Sequence, residues 1–153
     1  MITLASKYYG AVFAYILNKW GEGIEIQRIK SKSSGFYLID KKIPIYIKYS
    51  TQRRGPWTFT IQPDQAKVYD QLFRKYKCCV FAFVCGNDGI VALDFFEFNC
   101  VFSSEFEQQG SIMIRRKLRH MYQINGRDGE LDRKISGSSL IKLLESFGLG
   151  GAL

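Results

Sequence analysis

The sequence is poor in the side chains that build metal and disulfide sites. His120 is its single histidine, and its four cysteines include no C-x-x-C pair, so the common ligand spacings for zinc are missing. Cys78 and Cys79 are adjacent, and adjacent strand residues point to opposite faces, where two thiols cannot bond each other. We therefore expect no zinc site and reduced cysteines that are buried as small apolar side chains.

The sequence also lacks long apolar runs and several catalytic motifs. No run approaches the ~20 apolar residues that span a bilayer, and the opening MITLASKYYG lacks the pattern of a secretory signal. We expect a cytoplasmic protein without a membrane partner. The sequence also has no phosphate loop of the Gly-x-x-x-x-Gly-Lys type and no serine-hydrolase elbow. These absences disfavour a P-loop nucleotide-binding enzyme and a serine hydrolase.

Positive charge is abundant and clustered. The 153 residues carry 22 Lys and Arg against 14 Asp and Glu, for a net charge of +8. Two short stretches hold much of it: TQRRG, with Arg53 and Arg54, and IRRKLRH, with Arg115, Arg116, Lys117 and Arg119. Neighbouring cations repel one another unless an anion binds them, so the clusters favour nucleic acid as a partner. A solvated surface and an acidic protein partner stay open, and His120 is interpreted as a surface residue.

Periodicity and turn residues predict one domain over residues 1–153. An apolar repeat indicates a first helix over 2–20, and Pro63 opens a second helix that runs to residue 76. The other predicted elements are strands at 24–30, 36–40, 43–51, 57–61, 78–85 and 90–98, a polar crossing at 99–110, a basic hairpin or bent strand at 111–124, a last helix at 138–147 and a frayed tail at 148–153.

The segment CCVFAFVCG, residues 78–86, is apolar on both faces. That pattern is typical of a central strand with layers packed on both sides. The predicted fold class is therefore mixed α/β, with a central mixed sheet that includes 43–51 and 78–85 and is flanked by the first two helices. Trp57 alternates in phase with the apolar residues of its strand, so we expect it in the core, whereas Gln65 is expected on the solvated side of its helix.

Lys48 lies in the apolar strand IPIYIKYS, residues 43–50. The isoleucines of this strand share one face, which we expect to fill the core, and Tyr46, Lys48 and Ser50 share the other. One interpretation is a lysine on the solvated face of an edge strand. We favour a polar row that continues into the following arginine pair and contacts phosphates. The candidate nucleic-acid contacts are Lys48, Ser50, Arg53, Arg54, Arg115, Arg116, Lys117 and Arg119.

The order of elements resembles the restriction-endonuclease-like PD-(D/E)xK nuclease superfamily over roughly residues 5–95. YYGAVFAYILNKWG resembles the opening helix of Holliday-junction resolvases and their relatives, and IPIYIKYS resembles the strand that bears the lysine. The resemblance implies a helix beside a three-stranded meander, a second helix and a buried fourth strand. It also implies that Lys48 helps to activate water while two carboxylates bind Mg²⁺.

The sequence departs from that pattern where the acids should stand. Tyr46 occupies the position two before Lys48, and Ser33 and Ser34 lie where the earlier aspartate is expected. Asp40 is the nearest acid, so Lys48 and Asp40 are the candidate catalytic residues. If the metal-binding acids have moved, the candidate Mg²⁺ ligands are Asp40, Asp94 and Glu97. Otherwise the catalytic centre has been lost, and we expect no strong nuclease activity and no cofactor.

A second resemblance is to a small bacterial family of unsettled role, through the blocks IKYSTQRRGPWTFT and FVCGNDGIVAL. Three functions stay open. We favour a nucleic-acid-binding protein on a degenerate nuclease-like fold; the alternatives are a Mg²⁺-dependent nuclease with displaced acids and an interaction module or inhibitor with an acidic partner. The choice between DNA and RNA and the oligomeric state stay open as well.

Overall fold

The computed structural model describes residues 1–21, 23–103 and 108–150. Within these ranges the helices are α1 (Leu4–Trp20), α2 (Pro63–Tyr76), α3 (Phe95–Val101) and α4 (Ser139–Ser146). None of these helices is both long and apolar enough to cross a lipid bilayer. The strands are β1 (Ile26–Arg28), β2 (Phe36–Ile39), β3 (Ile43–Ser50), β4 (Trp57–Ile61), β5 (Val80–Cys85), β6 (Gly89–Asp94), β7 (Gly110–Arg115), β8 (Gln123–Gly126) and β9 (Gly129–Glu130).

A five-stranded mixed sheet forms the centre of the fold, in the order β1-β2-β3-β5-β6. The first three strands make an antiparallel meander, β5 joins β3 in parallel, and β6 returns antiparallel beside β5. All residues of β5 are buried, because this strand has a neighbour on each edge and a packed layer on each face. The predicted mixed α/β fold, with 43–51 and 78–85 in a central sheet flanked by helices, is confirmed.

A second sheet, antiparallel and in the order β4-β7-β8-β9, covers one face of the first. Phe59 of β4 meets Phe83 of β5 with ring centroids 4.9 Å apart, and Ile112 and Ile124 join the same core cluster. The prediction of a hairpin within 111–124 is confirmed by the pairing of β7 with β8. The sequence did not predict that β4 leaves the central sheet to pair with β7.

Helices α1 and α4 cover the opposite face of the central sheet. Val12 and Ile16 of α1 and Leu140 and Leu144 of α4 share one buried cluster with the isoleucines of β3. Helices α2 and α3 pack on the other side, together with the second sheet. The central sheet is therefore packed between two apolar cores, which explains why β5 is apolar on both faces.

The predicted strand at 90–98 is wrong in its second half. β6 ends at Asp94, and α3 begins at the next residue. The Asp94 carboxylate accepts the Glu97 backbone N–H at 2.8 Å, and the Glu97 carboxylate accepts the Asp94 N–H at 3.1 Å. This capping box starts a helix, whereas the aromatic residues of DFFEF are typical of a strand. The polar crossing predicted at 99–110 therefore starts only after α3, and residues 104–107 lie outside the described residues.

The predicted frayed tail at 148–153 is wrong at its start. The carbonyl of Gly148 accepts a hydrogen bond from Lys42 Nζ at 3.1 Å. Leu149 is 1% exposed and belongs to the core beneath α1 and α4. The chain is therefore docked as far as Leu149, and residues 151–153 lie outside the described residues.

The four cysteines are free, and their burial differs. Cys79 and Cys85 are buried, Cys78 is half-buried, and Cys100 of α3 is exposed. The expectation of buried, apolar thiols is therefore wrong for Cys100, because the face of α3 that carries it points to solvent.

Candidate functional site

Lys48 lies in an interior strand of the central sheet. β3 pairs with β2 on one side and with β5 on the other, and Lys48 stands opposite Phe83 in the parallel register. The interpretation of Lys48 as a residue on a solvated edge strand is therefore wrong.

The polar row predicted around Lys48 is largely internal. Tyr46 is 2% exposed and stacks on Phe36 with ring centroids 3.8 Å apart, so its ring is part of the core. Burial raises the pKa of the Tyr46 phenol. Ser50 is half-buried, and its hydroxyl accepts the Gln52 backbone N–H at 3.3 Å. The isoleucines on the other face are buried, as predicted.

The ammonium group of Lys48 is half-buried and is hydrogen-bonded within the protein. Its Nζ donates to the Thr60 carbonyl oxygen at 2.7 Å and to Oε1 of Gln65 at 3.3 Å. The same Gln65 oxygen accepts the Gln62 N–H at 3.0 Å, at the start of α2. Burial lowers the pKa of Lys48, and the Asp64 carboxylate opposes that shift. Lys48 therefore joins β3 to β4 and α2, and Gln65, which was predicted to be solvated, is half-buried.

An open cavity of about 490 Å³ lies beside Lys48. Its lining includes the hydroxyls of Tyr9, Ser33 and Ser34, and the Tyr9 and Ser34 oxygens are 3.1 Å apart. The lining residues include no aspartate or glutamate. The cavity therefore offers hydroxyl, amide and ammonium groups, but no pair of carboxylates for Mg²⁺.

The candidate metal-binding acids are held in separate local hydrogen bonds. Asp40 lies in the β2–β3 turn, at the end of β3 away from Lys48, and accepts the Glu25 backbone N–H at 2.8 Å. Asp94 and Glu97 form the capping box of α3, and Glu97 also binds Arg133. The described residues contain no group of three or more His, Cys, Asp or Glu that could hold a metal ion. The structure therefore does not assemble the predicted displaced metal site or the Lys48–Asp40 pair.

Three connections meet at one end of the two sheets. The end of β3, where the β3–β4 loop begins, contacts the β5–β6 turn: the Gly86 N–H donates to the Ser50 carbonyl at 3.0 Å. Gly86 has φ +54°, and a side-chain Cβ there would lie 2.3 Å from the Gln52 carbonyl oxygen, so only glycine permits this approach. The β7–β8 connection touches the same turn through Asp88 and Arg116. We call the three segments together, 51–56, 86–88 and 115–122, the basic end.

Trp57 anchors the first loop of the basic end. It is 3% exposed, as predicted for a core residue, and its Nε1 donates to the Gln52 carbonyl at 2.9 Å. Its partner across the second sheet is Ile114, the residue before Arg115. The loop that carries Arg53 and Arg54 is therefore fixed beside the connection that carries the second cluster.

Most of the predicted phosphate contacts at the basic end are exposed: Arg53, Arg54, Arg115, Lys117 and Arg119. Arg115 makes only a 3.7 Å contact from Nη2 to the Met113 sulfur. Across the described ranges, the side chains of the other four make no hydrogen bond or ion pair with the protein. His120 is exposed as well, so its assignment to the surface is confirmed.

Arg116 is the exception, because it is half-buried and already paired within the protein; its role as a phosphate contact stays a prediction. Its guanidinium forms a two-point ion pair with Asp88, at 2.7 and 2.8 Å, and lies over the Tyr122 ring at 4.8 Å. Asp88 also accepts the Tyr122 hydroxyl at 2.6 Å. The hydrogen bond from Arg116 is the main cause that lowers the pKa of Asp88. We call Asp88, Arg116 and Tyr122 the latch, because they join two segments of the basic end.

The latch was missed at the sequence level. In the sequence, Arg116 is one member of a basic run, and its acidic partner Asp88 lies 28 residues earlier. The single signal was that Asp88 is the one acid in the three segments of the basic end, but its partner lies far along the chain.

No protein-family model, curated protein or solved structure matches this chain. The resemblance to the PD-(D/E)xK nucleases and the one to a small bacterial family stay predictions. The chemistry of the site is therefore argued from the geometry of its own residues.

Proposed function

We propose that the protein binds nucleic acid through the basic end and does not cleave it. The backbone phosphates would be contacted by Arg53, Arg54, Arg115, Lys117 and Arg119. Phosphate contacts from Lys and Arg supply most of the sequence-independent affinity for nucleic acid.

One observation carries the proposal. Two arginine clusters that are distant in the sequence flank the same β5–β6 turn, with five exposed cations among them. The one acid of these three segments, Asp88, is already neutralised by Arg116. The surface therefore presents several unused donors to a large anion, and a polyanion that extends over both loops suits it best.

Binding without hydrolysis is favoured over a metal-dependent nuclease. The candidate acids are occupied in local hydrogen bonds, and the cavity beside Lys48 is lined by hydroxyls instead of carboxylates. Lys48 is left out of the proposed contacts because two of its three donors are directed to Thr60 and Gln65, and it lies outside the basic end.

A salt series tests the proposal. Affinity for one labelled duplex is measured at increasing salt for the parent, for Arg53→Ala/Arg54→Ala and for Arg115→Ala/Lys117→Ala. Each phosphate contact contributes about 0.9 to the slope of log affinity against log salt, so each double variant is expected to lower the slope by about 1.8. Arg116 is spared because removing it would disrupt the latch.

The matched control is Lys67→Ala/Lys75→Ala, which removes two exposed cations from α2 and should leave the slope unchanged. If the parent fails to bind duplex and single strands at low salt, the proposal is wrong. Binding to polyglutamate, with the same loss in both double variants, would then identify an acidic protein partner. Cleavage that EDTA stops and Lys48→Ala abolishes would restore the nuclease hypothesis.

A further inference from the structure

An open cavity of about 370 Å³ lies beside the 115–122 connection. Arg115, Lys117, His120 and Met121 line it from that segment, and Lys134 lines it from the segment between β9 and α4. The sequence clusters did not include Lys134, because it is distant along the chain. The cavity is thus built from two separate parts of the molecule.

Positive charge converges on this cavity. Arg115, Lys117 and Lys134 are exposed, and the lining residues include no carboxylate. Arg116 also lines the cavity, but its guanidinium is paired with Asp88. Lys134 makes no side-chain hydrogen bond or ion pair with any described residue. Its neighbour Arg133 is directed instead to Glu97. The hydrogen-bond donors of Arg115, Lys117 and Lys134 are therefore available to a ligand.

We infer that this cavity binds the phosphate monoester at the end of a nucleic-acid strand. The inference rests on the proposed function. An internal phosphodiester carries one negative charge, whereas a phosphate monoester carries about −1.5 to −2 near neutral pH and presents three acceptor oxygens. A concave site with three available cations therefore suits the phosphate monoester better than the phosphodiester. Arg115 can bind the monoester through two parallel hydrogen bonds.

The volume of the cavity fits more than the phosphate alone. It lies at the lower end of the roughly 300–1,000 Å³ range of small-molecule pockets, which leaves room for the sugar of the terminal nucleotide. Met121 lines the same cavity and is 47% exposed, so it offers an apolar wall to that sugar. The exposed loop 51–56 of the basic end would hold the backbone of the same strand.

Three oligonucleotides of one sequence test the inference: one with a 5′-phosphate, one with a 3′-phosphate and one with hydroxyls at both ends. We expect the parent to bind at least one phosphorylated form about fivefold more tightly than the hydroxyl form, as for one added charge-assisted contact. Lys134→Met should remove most of that preference. Arg53→Ala/Arg54→Ala should weaken all three forms alike and keep the preference.

The controls separate this inference from the proposed function. Lys67→Met, on α2 and away from the cavity lining, should leave the preference intact. Salt-dependent binding with equal affinity for the three forms would overturn the inference and leave the proposed function standing. If a nucleoside monophosphate competes as well as the phosphorylated strand, the cavity binds a free phosphate monoester, and the strand-end assignment is wrong.

Discussion

Two regions of the molecule carry cations on neighbouring stretches of chain, yet the cations are used in different ways. At Lys48, the ammonium donates to the Thr60 carbonyl and to Gln65, and burial lowers its pKa. At the basic end, Arg53 and Arg54 are exposed and make no hydrogen bond or ion pair among the described residues. Lys48 therefore stabilises the contact of β3 with β4 and α2, whereas the arginine pair is available to an outside anion.

The same contrast separates residues that are adjacent in the sequence. Arg115 is exposed while Arg116 is bound by Asp88. Lys134 makes no side-chain hydrogen bond or ion pair within the described part of the chain, while Arg133 is bound by Glu97. A run of positive charge in the sequence therefore mixes structural and available cations. A cation is structural where a carboxylate or carbonyl of the protein already accepts its hydrogen bonds, and it is available where none does.

The strongest test of this contrast compares Arg116→Ala with Arg115→Ala. We expect Arg116→Ala to lower the free energy of unfolding by about 2–3 kcal/mol, because it removes both hydrogen bonds to Asp88 and the one to the His120 carbonyl, and leaves the Asp88 charge without a cation. Arg115→Ala should change it by less than about 0.5 kcal/mol, as for an exposed side chain. Urea unfolding followed by circular dichroism measures both. Equal losses in the two variants would contradict the assignment of the latch.

A second test concerns Lys48. Lys48→Ala should lower the free energy of unfolding by about 2 kcal/mol, because the Thr60 carbonyl and the Gln65 side chain lose a charged donor. The salt slope of nucleic-acid binding should stay at the parent value. Lys67→Ala on the surface of α2 is the control for stability. A lower salt slope in Lys48→Ala, at unchanged stability, would make Lys48 a phosphate contact after all.

The smallest expected effect is the pH dependence of the latch. Arg116, and then the Tyr122 hydroxyl, hold the pKa of Asp88 below its ordinary value of 3.8, although burial opposes them. Among the described residues, the Cys85 thiol also interacts with Asp88. Because the folded state has the lower pKa, this stabilisation is present above pH 3.8 and is lost as the pH falls through the folded pKa.

Asp88→Asn checks that direction. The variant should be less stable than the parent by about 1 kcal/mol at pH 7, and the difference should shrink in acid, below the ordinary pKa of 3.8. Thermal unfolding of both proteins at pH 7, 4 and 3 measures it. A difference that stays constant over this range would mean that the carboxylate charge does not stabilise the latch.

Much of the fold could be predicted because its signals are local. The run at 78–86 is apolar on both faces, and it forms β5, which is buried throughout. Pro63 does open α2. The start of α3 also has a local signal, the Asp94–Glu97 capping box, but the aromatic residues of DFFEF, which are common in strands, conceal it. Pairing between strands that are distant in the sequence has no such signal, so the pairing of β4 with β7 was not predicted.

The candidate site was predictable only in part, for the same physical reason. Exposed arginines follow from composition and clustering, and five of the predicted contacts are exposed. Arg116 is held by Asp88, and Lys134 lies beside the second arginine cluster because its neighbour Ile135 pairs with Tyr122. Contacts between distant residues arise from the tertiary structure, and no spacing in the chain encodes them.

The parallel pairing of β3 with β5 also constrains how the chain reaches this structure. The two strands can align only after residues 51–79, which include β4 and α2, have been brought back into a closed loop. Closing that loop lowers the chain entropy before the contacts that compensate for it exist. The β5–β6 hairpin is local by comparison and closes through a three-residue turn. The order of assembly is therefore expected to be hairpin first and the junction with β3 later, so that the basic end is completed near the end of folding.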